Sequence, residues 1–413
     1  MDSLVKEADE LKTIYNRLQF CAGANFLDRW GVWFDELSRM EKYLKSGSRQ
    51  LSELRALVFA NFLRVSVEFP FVRMSIGNKV SIVVSNIVSS HGARTDGFLY
   101  VLQAFLLNYP RACSSWHEQM RSFVFSKFTS TFSEVRKTAA LTFALLPRCK
   151  YSKKDAGPCL AWFSQMMRTV ATIHDVAVTL TVNDHTNSCM LNLPENVERF
   201  PIDASSVDFT DLCRIIESLL WSAVHMLSLE FMSVVDVPSN SIIHLFACLC
   251  ELFWLRSSVC SDLIVTFLEP CFVLLSRTVR LLKIEFVPLC RPMVDLLFSL
   301  LNADAPSDGA YIFLLRRYVY DVLSTVCSVL GACSKLQDRF ADLMPLIKKE
   351  LQLGMTISHP KSEPVKKSKR QRKALGVTDS VLDQAVEKCF SLTCAVDTAV
   401  SCCDMLDQAL LHF

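Results

Sequence analysis

Apolar residues recur every three or four positions along most of this chain. Between Phe26 and Leu44 they fall at Leu27, Trp30, Phe34, Leu37, Met40 and Leu44, with charged residues between them. That spacing lays an apolar stripe along one face of a helix. After Lys45–Ser48 the pattern resumes at Leu51, Leu54, Leu57, Val58, Phe62 and Val65, which are expected to face inward, and it stops at Pro70. The same reasoning predicts helices over Leu4–Leu18, Val72–Ser89, Gly97–Asn108, Trp116–Thr129, Phe132–Leu146 and Cys159–Leu180. Further along it predicts Asp211–Met232, Ser241–Leu255, Ser258–Leu268, Cys271–Leu282, Val287–Leu301, Ala310–Leu330, Leu336–Leu353 and a last helix from Asp379 to Leu411. Pro270, Pro288 and Pro292 are expected where helices begin or kink.

Two stretches break the pattern. Residues 181–209 gather turn formers, among them Asn183 to Ser188, Leu193 to Asn196 and Pro201, and read as a long loop. From Gly354 to Gly376 apolar spacing gives way to polar and basic residues. The predicted organisation is a helical half over 1–180, a loop over 181–209, a second helical half over 210–353, a basic flexible linker over 354–378 and a C-terminal helix over 379–413. A run of helices joined by short turns cannot bury its faces in isolated pairs, whereas stacking them makes one continuous core. The expected fold is therefore all-α, an irregular helical-repeat solenoid of armadillo or HEAT type, with no fixed period legible in the sequence.

Composition narrows this further. Only 11 glycines and 14 prolines in 413 residues leave few turns for many short strands, and 51% apolar residues against 21% charged supply ample core. Met1 to Leu18 carries Asp2, Lys6, Glu7, Asp9, Glu10, Lys12 and Arg17 in place of an export signal's apolar core. The most apolar stretches are interrupted by Glu251, Arg256, Asp262 and Glu269, so no membrane span is expected. The 17 cysteines are odd in number and scattered through helical stretches, which suits reduced core residues.

The search for chemistry returns nothing assembled. Cys248 with Cys250, Cys402 with Cys403, and His185 with Cys189 lack the second pair a metal site needs. Glycines occur singly, so no phosphate-cradling loop forms. His174 beside Asp175, and His225 and His244 on apolar helices, suit hydrogen-bonded core or boundary positions better than catalytic bases. No catalytic, cofactor-binding or metal-ligating residue is assigned, and no enzymatic activity is expected.

Charge changes the picture at one place. Lys361, Lys366, Lys367, Lys369, Arg370, Arg372 and Lys373 face a single acidic residue, Glu363, on a chain whose net charge is only +2. The rest of the chain is thus slightly acidic. A basic block in an extended linker fits a nuclear import signal over Lys366, Lys367, Lys369, Arg370, Arg372 and Lys373, read by an import receptor whose acidic, aromatic-lined pockets take successive side chains. Phosphate contact with nucleic acid is compatible with the same block.

Leu297, Leu300 and Leu301 form an LxxLL sequence that could dock in a partner's groove. Its apolar surroundings suit core packing better.

One segment carries a family likeness. Asn108 to Cys113, with Tyr109, Pro110, Arg111, Ala112 and Cys113, ends one helix. Glu134 to Ala140, with Val135, Arg136 and Ala139, opens another, Leu146 and Pro147 close it, and Trp162 follows Gly157. In this order they resemble the N-terminal region of the RIX and PELP (proline-, glutamic acid- and leucine-rich protein) family of pre-ribosome-processing scaffolds. The resemblance is clearest over Leu99 to Ala171. It implies a non-catalytic, self-associating subunit of a nuclear complex that joins the maturing large ribosomal subunit in the nucleolus and nucleoplasm. The implied companions are a WD-repeat protein, a second helical-repeat subunit and an AAA-type remodelling ATPase, and the process served is removal of a pre-rRNA spacer. Two other readings are a transcriptional coregulator acting through the LxxLL motif and another helical-repeat protein-interaction adaptor, for transport or otherwise.

Overall fold

The computed structural model describes residues 2–20, 23–39, 49–90, 96–150, 157–181, 197–202, 207–231, 234–255, 261–302, 309–358 and 397–409. Among these the regular elements are helices and no strand occurs, so the protein is all-α. The chain forms two compact units, one of Met1–Ala171 with Asn196–Val237, the other of Thr172–Glu195 with Pro238–Phe413.

The first unit contains α1 (Asp2–Phe20), α2 (Gly23–Leu37), α3 (Arg49–Ser66), α4 (Pro70–Val88), α5 (Phe98–Asn108), α6 (His117–Phe125), α7 (Ser133–Leu145), the first part of α8 (Pro158–Thr181), and α9 (Phe209–Ser228). Every second helix is a packing neighbour: α3 lies against α1 and α5, α5 against α7, and α7 against α9. Two short 3-10 turns, Pro110–Trp116 and Leu146–Cys149, join α5 to α6 and extend α7. Close approach has a local cause at Gly97, where a Cβ would stand 3.1 Å from the Ala56 Cβ. Gly157 leads into α8 with φ +73°, a conformation that a side chain makes costly.

The division of the chain differs from the sequence expectation. The 181–209 stretch does not separate two halves, because α9, which follows it, belongs to the first unit. The cause is the face α9 presents: Leu212, Ile215, Ile216, Leu219, Leu220, Ala223 and Leu227 are all buried, and α7 is its principal packing partner.

A second correction concerns α3. Leu54 is only half-buried and Leu57 is exposed, while Leu51, Arg55, Val58, Phe59, Phe62 and Ser66 face inward. Apolar residues outnumber the positions one helix face can bury, and the surplus remains at the surface.

The second unit contains α10 (Ser239–Leu255), α11 (Ser261–Leu282), α12 (Val287–Asn302), α13 (Gly309–Leu330), α14 (Phe340–Ser358) and a final helix, α15, over 397–409. Alternate helices again meet, α10 with α12 and α11 with α13. Pro270 does not split α11. Phe267, Leu268, Cys271, Phe272, Leu274 and Leu275 are buried on both sides of it, and that packing offsets the roughly 3 kcal/mol an interior proline costs. Similarly, α14 runs through Ser358, so 354–358 is helix and not linker; a single Gly354 costs about 1 kcal/mol, too little to end a helix. Of the predicted C-terminal helix only 397–409 lies among the described residues. It packs on α13 through Asp397 to Arg317 (3.0 Å) and through the Thr398 hydroxyl, which donates to the Phe313 carbonyl (2.8 Å). Thr398, Ser401, Cys402, Met405 and Ala409 form its buried stripe.

Candidate functional site

The residues of the family-like segment all belong to the first unit. Tyr109 closes α5 with its ring buried, and its hydroxyl meets the Ser66 hydroxyl on α3 at 2.6 Å. Because Ser66 Oγ already donates to the Leu63 carbonyl (2.6 Å), the phenol is the donor in that pair. Pro110 sits at the first position of the 3-10 turn, where no amide donor is required. Ala112 continues that turn, Arg111 is exposed on it, and Cys113 is buried beneath it.

Arg136, on α7, is buried and reaches α9. Its Nε and Nη2 donate to Glu217 Oε2 at 3.0 and 2.7 Å, while Nη1 donates to the Ser130 carbonyl at 2.9 Å. Val135, Ala139 and Leu146 are buried along the same helix and its extension, and Pro147 lies in the closing turn. Trp162, on α8, donates from Nε1 to the Met226 carbonyl of α9 (3.3 Å), and nearby Gln165 Nε2 donates to the Phe143 carbonyl of α7 (2.6 Å). These side chains join α3 to α5 and clamp α7, α8 and α9 together. They position helices, and no pair of them forms a nucleophile with a base.

Sequence reasoning missed Glu217 and Ser66. For Glu217 a signal exists: an acidic residue inside the apolar run Ile215-Ile216-Glu217-Ser218-Leu219 requires a buried partner. The partner's identity, far off along the chain, leaves no local trace.

The other candidates separate cleanly. Leu297, Leu300 and Leu301 are buried in α12, each at most 1% exposed, so the LxxLL leucines are core side chains of the second unit. Lys366, Lys367, Lys369, Arg370, Arg372 and Lys373 lie outside the described residues.

Burial pushes the thiols of Cys149, Cys327 and Cys402 up to about 12 and that of Cys290 to about 11, so each stays protonated and is a poor nucleophile at neutral pH. Burial likewise lowers the His117 and His225 imidazoles, which keeps them neutral. Among the described residues no group of three or more His, Cys, Asp or Glu side chains could hold a metal ion, and no single helix is long and apolar enough to cross a membrane.

The first unit also carries a concave feature. Tyr15 of α1, Leu54, Leu57, Ala60, Asn61 and Arg64 of α3, and Tyr100, Gln103, Ala104, Leu107 and Asn108 of α5 line a groove of about 600 Å³. Leu57 is 44% and Leu107 47% exposed. Arg64 Nε and Nη2 donate to the Asn61 side-chain Oδ1, at 3.2 and 3.0 Å, and Asn61 Nδ2 is buried with no hydrogen-bond partner.

Compared with known protein families and with curated proteins, the chain matches none.

Proposed function

We propose that this protein is a non-catalytic scaffold subunit of a nuclear complex that serves large ribosomal subunit maturation and pre-rRNA spacer processing. The observation that carries the reading is the character of the Asn108 to Trp162 segment. Its residues resemble those of the RIX and PELP scaffolds in order, and three of them, Tyr109, Arg136 and Trp162, serve to join helices through hydrogen bonds. A motif whose members hold one helix to the next suits a protein that works by presenting surface. The packing of alternate helices within each unit supports extending the description to a helical-repeat solenoid. The basic cluster supplies a route into the nucleus, and the proposed companions are a WD-repeat protein, a second helical-repeat subunit, an AAA-type ATPase, the pre-ribosomal particle and a second copy of the chain.

Affinity purification of the tagged full chain, with mass spectrometry and imaging, tests this reading. Nucleolar signal with large-subunit precursors and a WD-repeat protein is the expected result, and the absence of all three overturns it. Replacing Lys366, Lys367, Lys369 and Arg370 with Ala is expected to leave the protein in the cytoplasm; unchanged nuclear signal removes the import assignment. Burial of Leu297, Leu300 and Leu301 weighs against a coregulator acting through LxxLL.

A further inference from the structure

Three surfaces lie outside the scaffold reading. Arg121 and Arg168 flank the Phe200 ring, but Glu118 and Glu198 already answer their charge. Phe71, Met74 and Ile82 form an exposed stripe on α4, and nothing in the structure defines what covers it. The groove between α1, α3 and α5 differs from both, because its lining specifies the chemistry of an occupant.

Among the described residues, the only charged one that lines it is Arg64. Among the described residues no carboxylate pairs with that guanidinium, whose Nε and Nη2 are shared with a neutral amide oxygen. A cation with a neutral partner retains most of its capacity for a charge-assisted bond. Beside it, the Asn61 side-chain nitrogen is buried with no hydrogen-bond partner, a costly state. The remainder is apolar or amphipathic: Leu54, Leu57, Ala60, Ala104, Leu107 and the tyrosine rings. The volume is in the range that holds a few side chains. Exposed Leu57 and Leu107 leave one side open to solvent, which suits a chain laid along the surface better than an enclosed small molecule.

We propose that this groove binds a short apolar peptide segment of a partner protein that carries a carboxylate. Leu57 and Leu107 receive its apolar side chains and Arg64 its acid. The same features disfavour a basic segment, since Arg64 would repel it and no lining carboxylate would receive it. The proposal rests on the groove alone, so failure of the ribosomal reading leaves it standing.

The test is an array of short synthetic peptides, each with two leucines at helical spacing and aspartate, asparagine or lysine at a third position. Binding to the full chain is read by fluorescence anisotropy. Aspartate peptides are expected to bind about fivefold more tightly than their asparagine counterparts, the scale of one partly solvated ion pair, and lysine peptides more weakly than either. Arg64→Gln should erase that preference and Arg64→Glu reverse it. Leu57→Asp should weaken binding more than tenfold, and amide-exchange protection should be confined to α1, α3 and α5. Arg64 and Leu57 are exposed, so the variants should retain their helicity by circular dichroism; should Leu57→Asp lose it, Leu57→Ser carries that arm. Absence of binding by every peptide overturns the proposal, as does equal affinity for all three charges or binding that survives loss of Leu57.

Discussion

Arg136 and Glu217 meet in the interior of the first unit, and the value of such a pair depends on how it is broken. Removing one partner leaves a buried charge unanswered, so Arg136→Ala or Glu217→Ala should each cost about 3 to 5 kcal/mol, whereas replacing both with Met and Leu should cost much less. Denaturant titration of the four proteins measures this. Equal and additive losses would mean that the two side chains act independently.

His117 and His225 set a pH dependence. Both have imidazoles lowered by burial, so around and below pH 6.5 the unfolded chain binds protons that the folded chain refuses. Their contribution is fully present above that pH and is lost as pH falls through the lowered folded values. Melting temperature should therefore fall from pH 7 to pH 5, and the double variant His117→Gln/His225→Gln should show a shallower fall. An unchanged slope would assign the effect to other groups. Leu300 and Leu301 belong to the same scale: each mutated to Ala should destabilise the protein by about 2 to 5 kcal/mol, the cost of a core cavity, while a docking motif on the surface would leave stability unchanged.

Among the elements, α15 docks on α13. It carries a buried stripe with Met405 at its centre, and its polar contacts with α13 include those of Asp397 and Thr398. Met405→Asp should bury an unpaired charge and release the helix, read as fast amide exchange over 397–409 with protection retained in α10 and α12. Retained protection in α15 would place its anchorage in the Asp397 and Thr398 contacts. Individual helices were legible in the sequence because the 3.6-residue period is local, and most ends fall within a few residues of expectation. The misreadings differ in cause. Pro270 is a local breaker overridden by packing that a one-dimensional pattern does not record, Gly354 is a breaker too weak to end a helix, and Leu57 is apolar without being inside.

Across the whole molecule, what the sequence could not disclose was which helices adjoin. The stretch after α8 looked like a boundary because its composition changes there, yet the first unit includes helices on both sides of it. The groove was equally hidden: Leu57, Asn61, Arg64, Leu107 and Asn108 are ordinary helix residues until α3 and α5 stand side by side. By contrast, the segment from Asn108 to Trp162 was legible, since its prolines, alanines and tryptophan are close in sequence. A fragment ending at residue 180, the boundary suggested by composition, should unfold at a lower denaturant concentration than one ending at residue 237, because only the longer one includes α9. Equal stability of the two would make α9 dispensable.

The same return of α9 sets a timetable for biosynthesis. Glu217 lies 81 residues beyond Arg136, so at about 5 to 20 residues per second the arginine leaves the ribosome several seconds before its carboxylate has been made. Through that interval α7 has an apolar face and a cation with nowhere to dock. The nascent protein must therefore wait half-assembled, and a chaperone that shields the α7 surface during translation should raise its folding yield more than one supplied after release.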